Sequence, residues 1–316
     1  MPNAGTPMGG TELLLSHLTR ALPALAAQVQ IICSRPEQVG LDPDRPRLLW
    51  LHDHPHDPAS ARLKQAAYRA QFNAIVFVSH WQQARYHEVL GIPYSEGLVI
   101  RNGVPRLAPP LPKPRADGLL RFIYTSTPDR GLALLAAAAD LLAQERQDWV
   151  LDVYSSLRLY GWDEADRRFE PLYDALRANP CVRYHGVRPN ADVRDALQEA
   201  HVWVYPSITP ETSCLAAQEA LMAGCLGITS SLGGLPETCG PWPWMFAFDE
   251  SPEVMCVQTL QHMRRALAEY DEPGTQAHLA AQSGFFQRFW SFESRVPEWE
   301  ALLTRVAAER PRAVRA

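Results

Sequence analysis

Residues 202–229 read VWVYPSITPETSCLAAQEALMAGCLGIT. The first four are β-branched or aromatic, residues 213–223 form an alanine-rich helical run, and 226–229 return to strand composition. Strand, helix and strand in such close succession predict parallel strands joined by a helical crossover. The alternation extends upstream. Strands are expected over 120–125, 149–154 and 182–184, with helices over 132–144, 171–178 and 192–200. Further upstream a second series places strands at 29–33, 48–51, 74–79 and 98–100, with helices over 11–27 and 80–90. In the first of these helices Leu13, Leu14, Leu18, Leu22 and Leu25 recur at helical spacing. The fold class is therefore α/β, with parallel sheets covered on both faces.

A chain of 316 residues suggests two domains at roughly 100–200 residues each. The break falls at VPRLAPPLPKPR, residues 104–115, whose five prolines exclude a helix or a central strand. The expected division is 1–105, a Pro-rich linker at 106–117, a second domain at 118–290 and a helical tail at 291–316. No apolar run reaches the ~18–20 residues of a membrane span. The first five residues lack the basic and apolar regions of a secretory signal. Six scattered cysteines without a C-x-x-C pair argue against a zinc ribbon or a disulfide framework, so a cytoplasmic location is expected. The net charge of −5 argues against a strongly basic nucleic-acid binder. Only Lys64 and Lys113 could form a Schiff base, which removes much of pyridoxal-phosphate chemistry.

Five short stretches could carry chemistry. Gly9-Gly10-Thr11-Glu12 precedes a helix, where a small backbone and an N-terminus favour anions; a structural turn is the alternative. His52-Asp53-His54-Pro55-His56-Asp57 follows a strand, at the sheet end where ligands bind. Metal ligation, a substrate contact by His52 and a solvated loop remain open there. Arg130, in Thr127-Pro128-Asp129-Arg130-Gly131, sits near a helix N-terminus that disfavours cations unless an anion lies between; an ordinary surface arginine is the other reading. Glu211 and Glu219 flank a helix start and cannot share one helix face, so they should touch different parts of a long ligand. The alanine-rich setting of Glu219 points to burial, and a buried carboxylate needs a partner. Ser231-Leu232-Gly233-Gly234-Leu235-Pro236-Glu237 is a further glycine-rich loop after a strand.

Taken in order, GGTE at 9–12, FVSHWQ at 77–82, VIRNGV at 99–104, PDRG at 128–131, ETSCLAAQE at 211–219 and GGLPE at 233–237 resemble the retaining glycosyltransferases of family 4, the glycogen-synthase and phosphatidylinositol-mannosyltransferase group. The resemblance spans roughly residues 5–290. It implies a GT-B fold, with two Rossmann-like domains facing a cleft, acceptor on the first and nucleotide-sugar on the second. It implies transfer of a hexose from a nucleotide-diphosphate sugar to a hydroxyl, with retention of configuration, no metal and no cofactor beyond that co-substrate. By motif position, Glu219 would bind ribose hydroxyls, Glu211 the transferred sugar, and Arg130 the leaving diphosphate. Gly9 and Gly10 would lie under the phosphate. Backbone N–H groups of Ser213, Cys214, Leu215 and Ala216 would hold sugar and phosphate, and His52 would contact the sugar. Thr125 stands where the family has an arginine, with Arg188 or Arg101 as substitutes, and Ser213-Cys214 replaces the family's Phe-Gly. The customary first strand is at most a stub at 1–3. A saccharide, a lipid-linked glycan and a hydroxymethylated DNA base are the acceptors considered. A nucleotide-sugar epimerase, a phosphorylase and a non-catalytic nucleotide-sugar-binding module are the alternative functions.

Overall fold

The structure, a computed structural model, describes residues 7–107 and 111–313, so the expected strand stub at 1–3 lies outside the described residues. Two compact units emerge. Among the described residues, one gathers Gly10–Val104, Thr212–Cys214 and 290–313; the other gathers 7–9, 105–107, 111–211 and Leu215–Phe289.

The first unit holds a parallel sheet of β1 (Gln30–Cys33), β2 (Arg47–Leu51), β3 (Ala74–Phe77) and β4 (Leu98–Val99), in that order. β2 and β3 are buried along their whole length, as central strands covered on both faces must be. Leu49, Leu51, Ile75 and Phe77 point to one face and pack with Tyr86, Leu90 and Ile92. Trp50 points the other way, and its ring centroid lies 4.4 Å from that of Trp299. Trp299 belongs to the helix Val296–Ala307, which buries Trp299, Leu302, Leu303 and Val306, an apolar stripe at helical spacing. The chain beyond that helix is also tied down. The buried Arg47 donates from Nε to the Gln71 carbonyl at 3.0 Å and from Nη2 to that of Arg312. Asn73 Nδ2 donates to Glu309 Oε2 and to the Arg310 carbonyl, both at 3.0 Å. Residues 291–313 are thus no separate tail. They cover the Trp50 face of the first sheet and supply the acceptor for Nη2 of the buried Arg47 guanidinium.

The second unit holds β5 (Leu120–Tyr124), β6 (Trp149–Val153), β7 (Val182–Tyr184), β8 (Val202–Tyr205), β9 (Leu226–Ser230) and β10 (Trp244–Phe246). All pair in parallel, in the spatial order β10-β9-β8-β5-β6-β7. The chain starts at the centre, runs outward through β6 and β7, then returns to lay β8 against β5 on the opposite side. This is the doubly wound order, and the reversal between β5 and β8 is where such sheets bind ligands, outside the carboxyl ends of the strands. Strand β10 escapes the sequence pattern because it is three residues long and follows Pro241 and Pro243.

The crossover helix expected over 213–223 spans Leu215–Met222. Its last carbonyls lack intrahelical donors. Side chains from the helix Pro273–Phe289 supply donors to the last two of them and to the turn beyond: Gln282 Nε2 donates to the carbonyls of Leu221 and Cys225 at 3.0 and 2.9 Å, and Ser283 Oγ to that of Met222 at 2.7 Å. The proline-rich segment is anchored by Lys113, whose buried Nζ donates to the carbonyls of Leu197 and Ala200 at 2.9 and 2.7 Å. Both units are α/β with parallel sheets, and the second has the doubly wound order.

Candidate functional site

At the switch point, the loop after β5 carries Arg130 and the loop after β8 carries Glu211. Arg130 Nη1 donates to Glu211 Oε1 at 2.8 Å, and the Tyr205 hydroxyl donates to the same oxygen. Two glycines bring these groups together. Gly131 adopts φ +105°, and a Cβ there would meet the Pro206 carbonyl oxygen at 2.1 Å. The β5 loop therefore packs backbone to backbone on the β8 loop, which only glycine permits. Gly233, at φ +66°, would place a Cβ 2.5 Å from the Glu211 nitrogen. The neighbouring Gly234 N–H donates to the Glu211 carbonyl at 2.6 Å. The GGLPE loop thus clamps the backbone of Glu211. Thr229 and Ser230 reinforce it, donating to the Tyr205 and Ser207 carbonyls at 2.7 Å each. Glu211 keeps 14 % of its side chain exposed and Arg130 keeps 31 %. The result is a preset carboxylate–guanidinium pair at a ligand-binding sheet end.

Glu219 lies on the helix Leu215–Met222, with 13 % of its side chain exposed. Burial pushes its carboxyl up to about 7, opposed by Arg194, whose Nη1 stands 3.9 Å from Oε1. Leu215 and Ala216 form the first turn of that helix. Ser213 and Cys214, expected within it, precede it and are buried. They belong with Thr212 to the first unit. There Ser79 Oγ donates to the Thr212 carbonyl at 2.6 Å, and Thr212 Oγ1 to the His52 carbonyl at 2.9 Å. Gly9 ends the segment in which Met8 exchanges hydrogen bonds with the Asn190 side chain at 2.9 and 3.2 Å, and Gly10 opens the helix Gly10–Ala21.

His52 follows β2 in the first unit, on a loop held by strain. Ser34, non-glycine at φ +60°, directs its Oγ to the backbone N–H groups of His52 and Asp53, at 2.8 and 3.2 Å. Gln82 Nε2 donates to the Leu51 and Asp53 carbonyls at 3.2 and 2.9 Å. The His52 ring packs on Trp50, its Nε2 is shielded without a hydrogen-bond partner, and burial lowers its pKa to about 3. It is therefore neutral near pH 7. The metal reading of residues 52–57 finds no support among the described residues, where no group of three potential ligands assembles. Asp53 and Asp57 face Arg35 at 3.4 and 3.5 Å instead, and His56 is exposed.

Sequence reasoning brought Arg130 and Glu211 to light but not their direct pairing, and it missed two residues. Tyr205 reads as a plain strand aromatic. Arg194 reads as one charge among many on an amphipathic helix, and nothing in its spacing marks it. Of the proposed substitutes for the arginine missing at Thr125, Arg188 is exposed after β7. Arg101 belongs to the first unit, where it faces His80 and the Trp290 ring.

Residues 106–254 match the model of a family described as glycosyl transferases group 1. No curated protein sequence matches the chain. Among solved structures, the chain is similar to a glycosyltransferase from Rickettsia africae, at 13% identity and TM-score 0.65, covering 95% of this chain and 83% of that one. It is also similar to a sucrose-phosphate synthase from Thermosynechococcus elongatus, at 18% identity and TM-score 0.67, covering 94% and 79%. A third is Anabaena HepE in complex with UDP-glucose, at 18% identity and TM-score 0.62, covering 83% and 72%. These similarities are to GT-B structures. Among the described residues no helix is long and apolar enough to cross a membrane.

Proposed function

We propose that this chain is a glycosyltransferase that moves a hexose from a nucleotide-diphosphate sugar to a hydroxyl acceptor, with retention and without a metal. The observation that carries the reading is the Arg130–Glu211–Tyr205 cluster at the β5/β8 switch point. The family match over the same segment and the structural similarity to HepE with UDP-glucose support it.

In this mechanism Glu219 accepts hydrogen bonds from the nucleoside ribose. The N-terminal turn of its helix, from Leu215 and Ala216, offers backbone N–H groups to the diphosphate or the sugar. The bond from the anomeric carbon to the phosphate oxygen breaks and its electron pair leaves with the diphosphate. Arg130 stabilises the charge that develops there. The acceptor oxygen bonds to the same face of the anomeric carbon, and its proton passes to the departing phosphate. Glu211, freed by the donor from its pairing with Arg130, accepts hydrogen bonds from the transferred sugar. His52, Ser213, Cys214, Gly9 and Gly10 are assigned to sugar and phosphate contact by the family resemblance alone.

A thermal-shift screen of UDP-, GDP-, ADP- and dTDP-sugars is the first test, because a ligand that binds the native state raises its melting temperature. NMR of the product formed from the donor that binds then reads the anomeric configuration. Activity should persist in a chelator. An inverted product, or no stabilisation by any donor, would overturn the reading. Duplex DNA with hydroxymethylated bases, tested across a salt series, addresses the nucleic-acid acceptor.

A further inference from the structure

Strand β6 passes the chain to a loop, residues 154–169, at the carboxyl end of the second sheet, beside the β5 loop that carries Arg130. The loop is built around one carboxylate. Asp166 is 1 % exposed and accepts from Ser156 Oγ at 2.9 Å, the Leu157 N–H at 2.7 Å and the Tyr173 hydroxyl at 2.8 Å, with Arg158 Nε 3.2 Å away. A buried carboxylate bonded on this scale holds the loop as a fixed part of the unit. Within it, Tyr160-Gly161-Trp162 forms a turn. The Gly161 N–H donates to the Arg158 carbonyl at 3.0 Å, and Arg158 Nε faces Asp163 Oδ1 at 3.7 Å across its base. Gly161 takes φ +72°, and among the described residues nothing within 4 Å would meet a Cβ there. Glycine serves this turn through its backbone conformation alone.

The turn holds two aromatic rings toward solvent. Trp162 is 52 % exposed and Tyr160 42 % exposed, and their centroids lie 5.0 Å apart with the planes inclined at 37°. Aromatic surface facing water is unfavourable, and a fixed loop does not relieve it by folding over. Size limits what covers it. A fully buried Trp or Tyr removes ~150–250 Å² from water, so the two half-exposed rings offer about 200 Å² together. A stable protein interface needs about 800 Å² per partner, far more than this shelf supplies. Charge limits it further. Three arginines balance three carboxylates over 154–169, so the loop lacks the single-sign field that draws a nucleic acid or an anionic membrane. A sugar ring fits on both counts. Its C–H face lies on an aromatic ring, and its hydroxyls donate to carboxylates and accept from guanidiniums. Asp163 and Arg158, which flank the turn, are both more than half exposed.

We propose that Tyr160 and Trp162 form a carbohydrate-binding shelf for an oligosaccharide acceptor. The proposal rests on the transferase reading above and names the acceptor class for it. A sugar chain held there stays at the sheet end that carries Arg130 and Glu211, which raises the effective concentration of its free hydroxyls.

The test is titration of the full chain with maltoheptaose, cellohexaose, chitohexaose and a mannohexaose, followed by tryptophan fluorescence and saturation-transfer NMR. At least one should bind with a Kd on the order of 1 mM, as befits so small an apolar contact. Trp162→Ala should weaken that binding about tenfold or more, while its melting temperature and its response to nucleotide-sugar stay those of the wild type, because the ring sits on an exposed turn. Trp162→Phe keeps a ring and should retain part of the affinity; it carries the test if the alanine variant does not fold. In transfer assays Trp162→Ala should raise KM for the bound glycan and leave kcat unchanged. Binding of none of the four sugars at about 10 mM, or unchanged affinity in both variants, would overturn the proposal. So would a dimer or a single-stranded oligonucleotide complex of the wild type that Trp162→Ala abolishes. A melting temperature that still rises with nucleotide-sugar in those cases leaves the transferase reading standing. Glycan binding without any nucleotide-sugar response would overturn the transferase reading and leave the shelf as a glycan-binding site.

Discussion

Replacing Glu219 by glutamine should make the ligand-free protein more stable near neutral pH while abolishing its response to nucleotide. Burial raises the Glu219 carboxyl from 4.5 to about 7, with Arg194 opposing. The folded state therefore keeps a proton that the unfolded chain releases. Stability from this group is fully present below about pH 4.5 and is lost as pH rises through about 7. At about 1.4 kcal/mol per pH unit, the span amounts to about 2–3 kcal/mol once the partial exposure of the side chain is allowed for. Glutamine has nothing to ionise, so the variant should gain that amount over the wild type between pH 4.5 and pH 8, a few degrees in melting temperature. His52 and His201, lowered by burial to about 3 and about 4, impose the opposite trend, costing stability as pH falls below about 6.5. Both are present in the two proteins and cancel in the difference. Scanning calorimetry of wild type and Glu219→Gln across this pH range, with and without the best nucleotide, supplies both readings. A difference between the two proteins that does not change with pH would refute the reasoning, because it would mean that Glu219 ionises as it does in water.

Gly131→Ala should destabilise the second unit by more than 2 kcal/mol, since its Cβ would meet the Pro206 carbonyl at 2.1 Å on a backbone at φ +105°; urea unfolding measures this. Gly233→Ala should instead displace Glu211, lowering transfer more than donor affinity, a split visible in kcat against Kd. Tyr205→Phe removes one donor from the Glu211 carboxylate and should slow transfer about ten- to a hundredfold with an unchanged circular dichroism spectrum. Trp299→Ala, which empties the site packed against Trp50, should cost about 3–5 kcal/mol and lower the yield of soluble protein.

The alternation of strand-type and helix-type segments was legible because parallel strands buried on both faces are continuous apolar runs. β7 and β8 fall at the residues expected, and the other anticipated strands shift by only a residue or two. The order of those strands was not legible, since register and neighbour choice depend on contacts distant in sequence. The return of β8 to β5, which puts Arg130 beside Glu211, belongs to that class. That Tyr205, read as a plain strand aromatic, serves Glu211 is of the same kind. Helix 296–307 looked detachable because its stripe of Trp299, Leu302, Leu303 and Val306 names no partner. Only the three-dimensional placement of Trp50, on the far face of β2, shows what it must cover. Arg194 was invisible for a plainer reason: a charged residue on an amphipathic helix carries no local mark of the carboxylate it faces.

The dependence of the first sheet on residues beyond Trp290 bears on anyone who would shuffle parts of this molecule. Splitting the gene once, at the proline-rich segment, would strand Arg47 and Trp50 without Arg312 and Trp299. A chimera that imports a new nucleotide-sugar specificity must therefore be spliced at two points, replacing an internal cassette while both ends of the host polypeptide stay together.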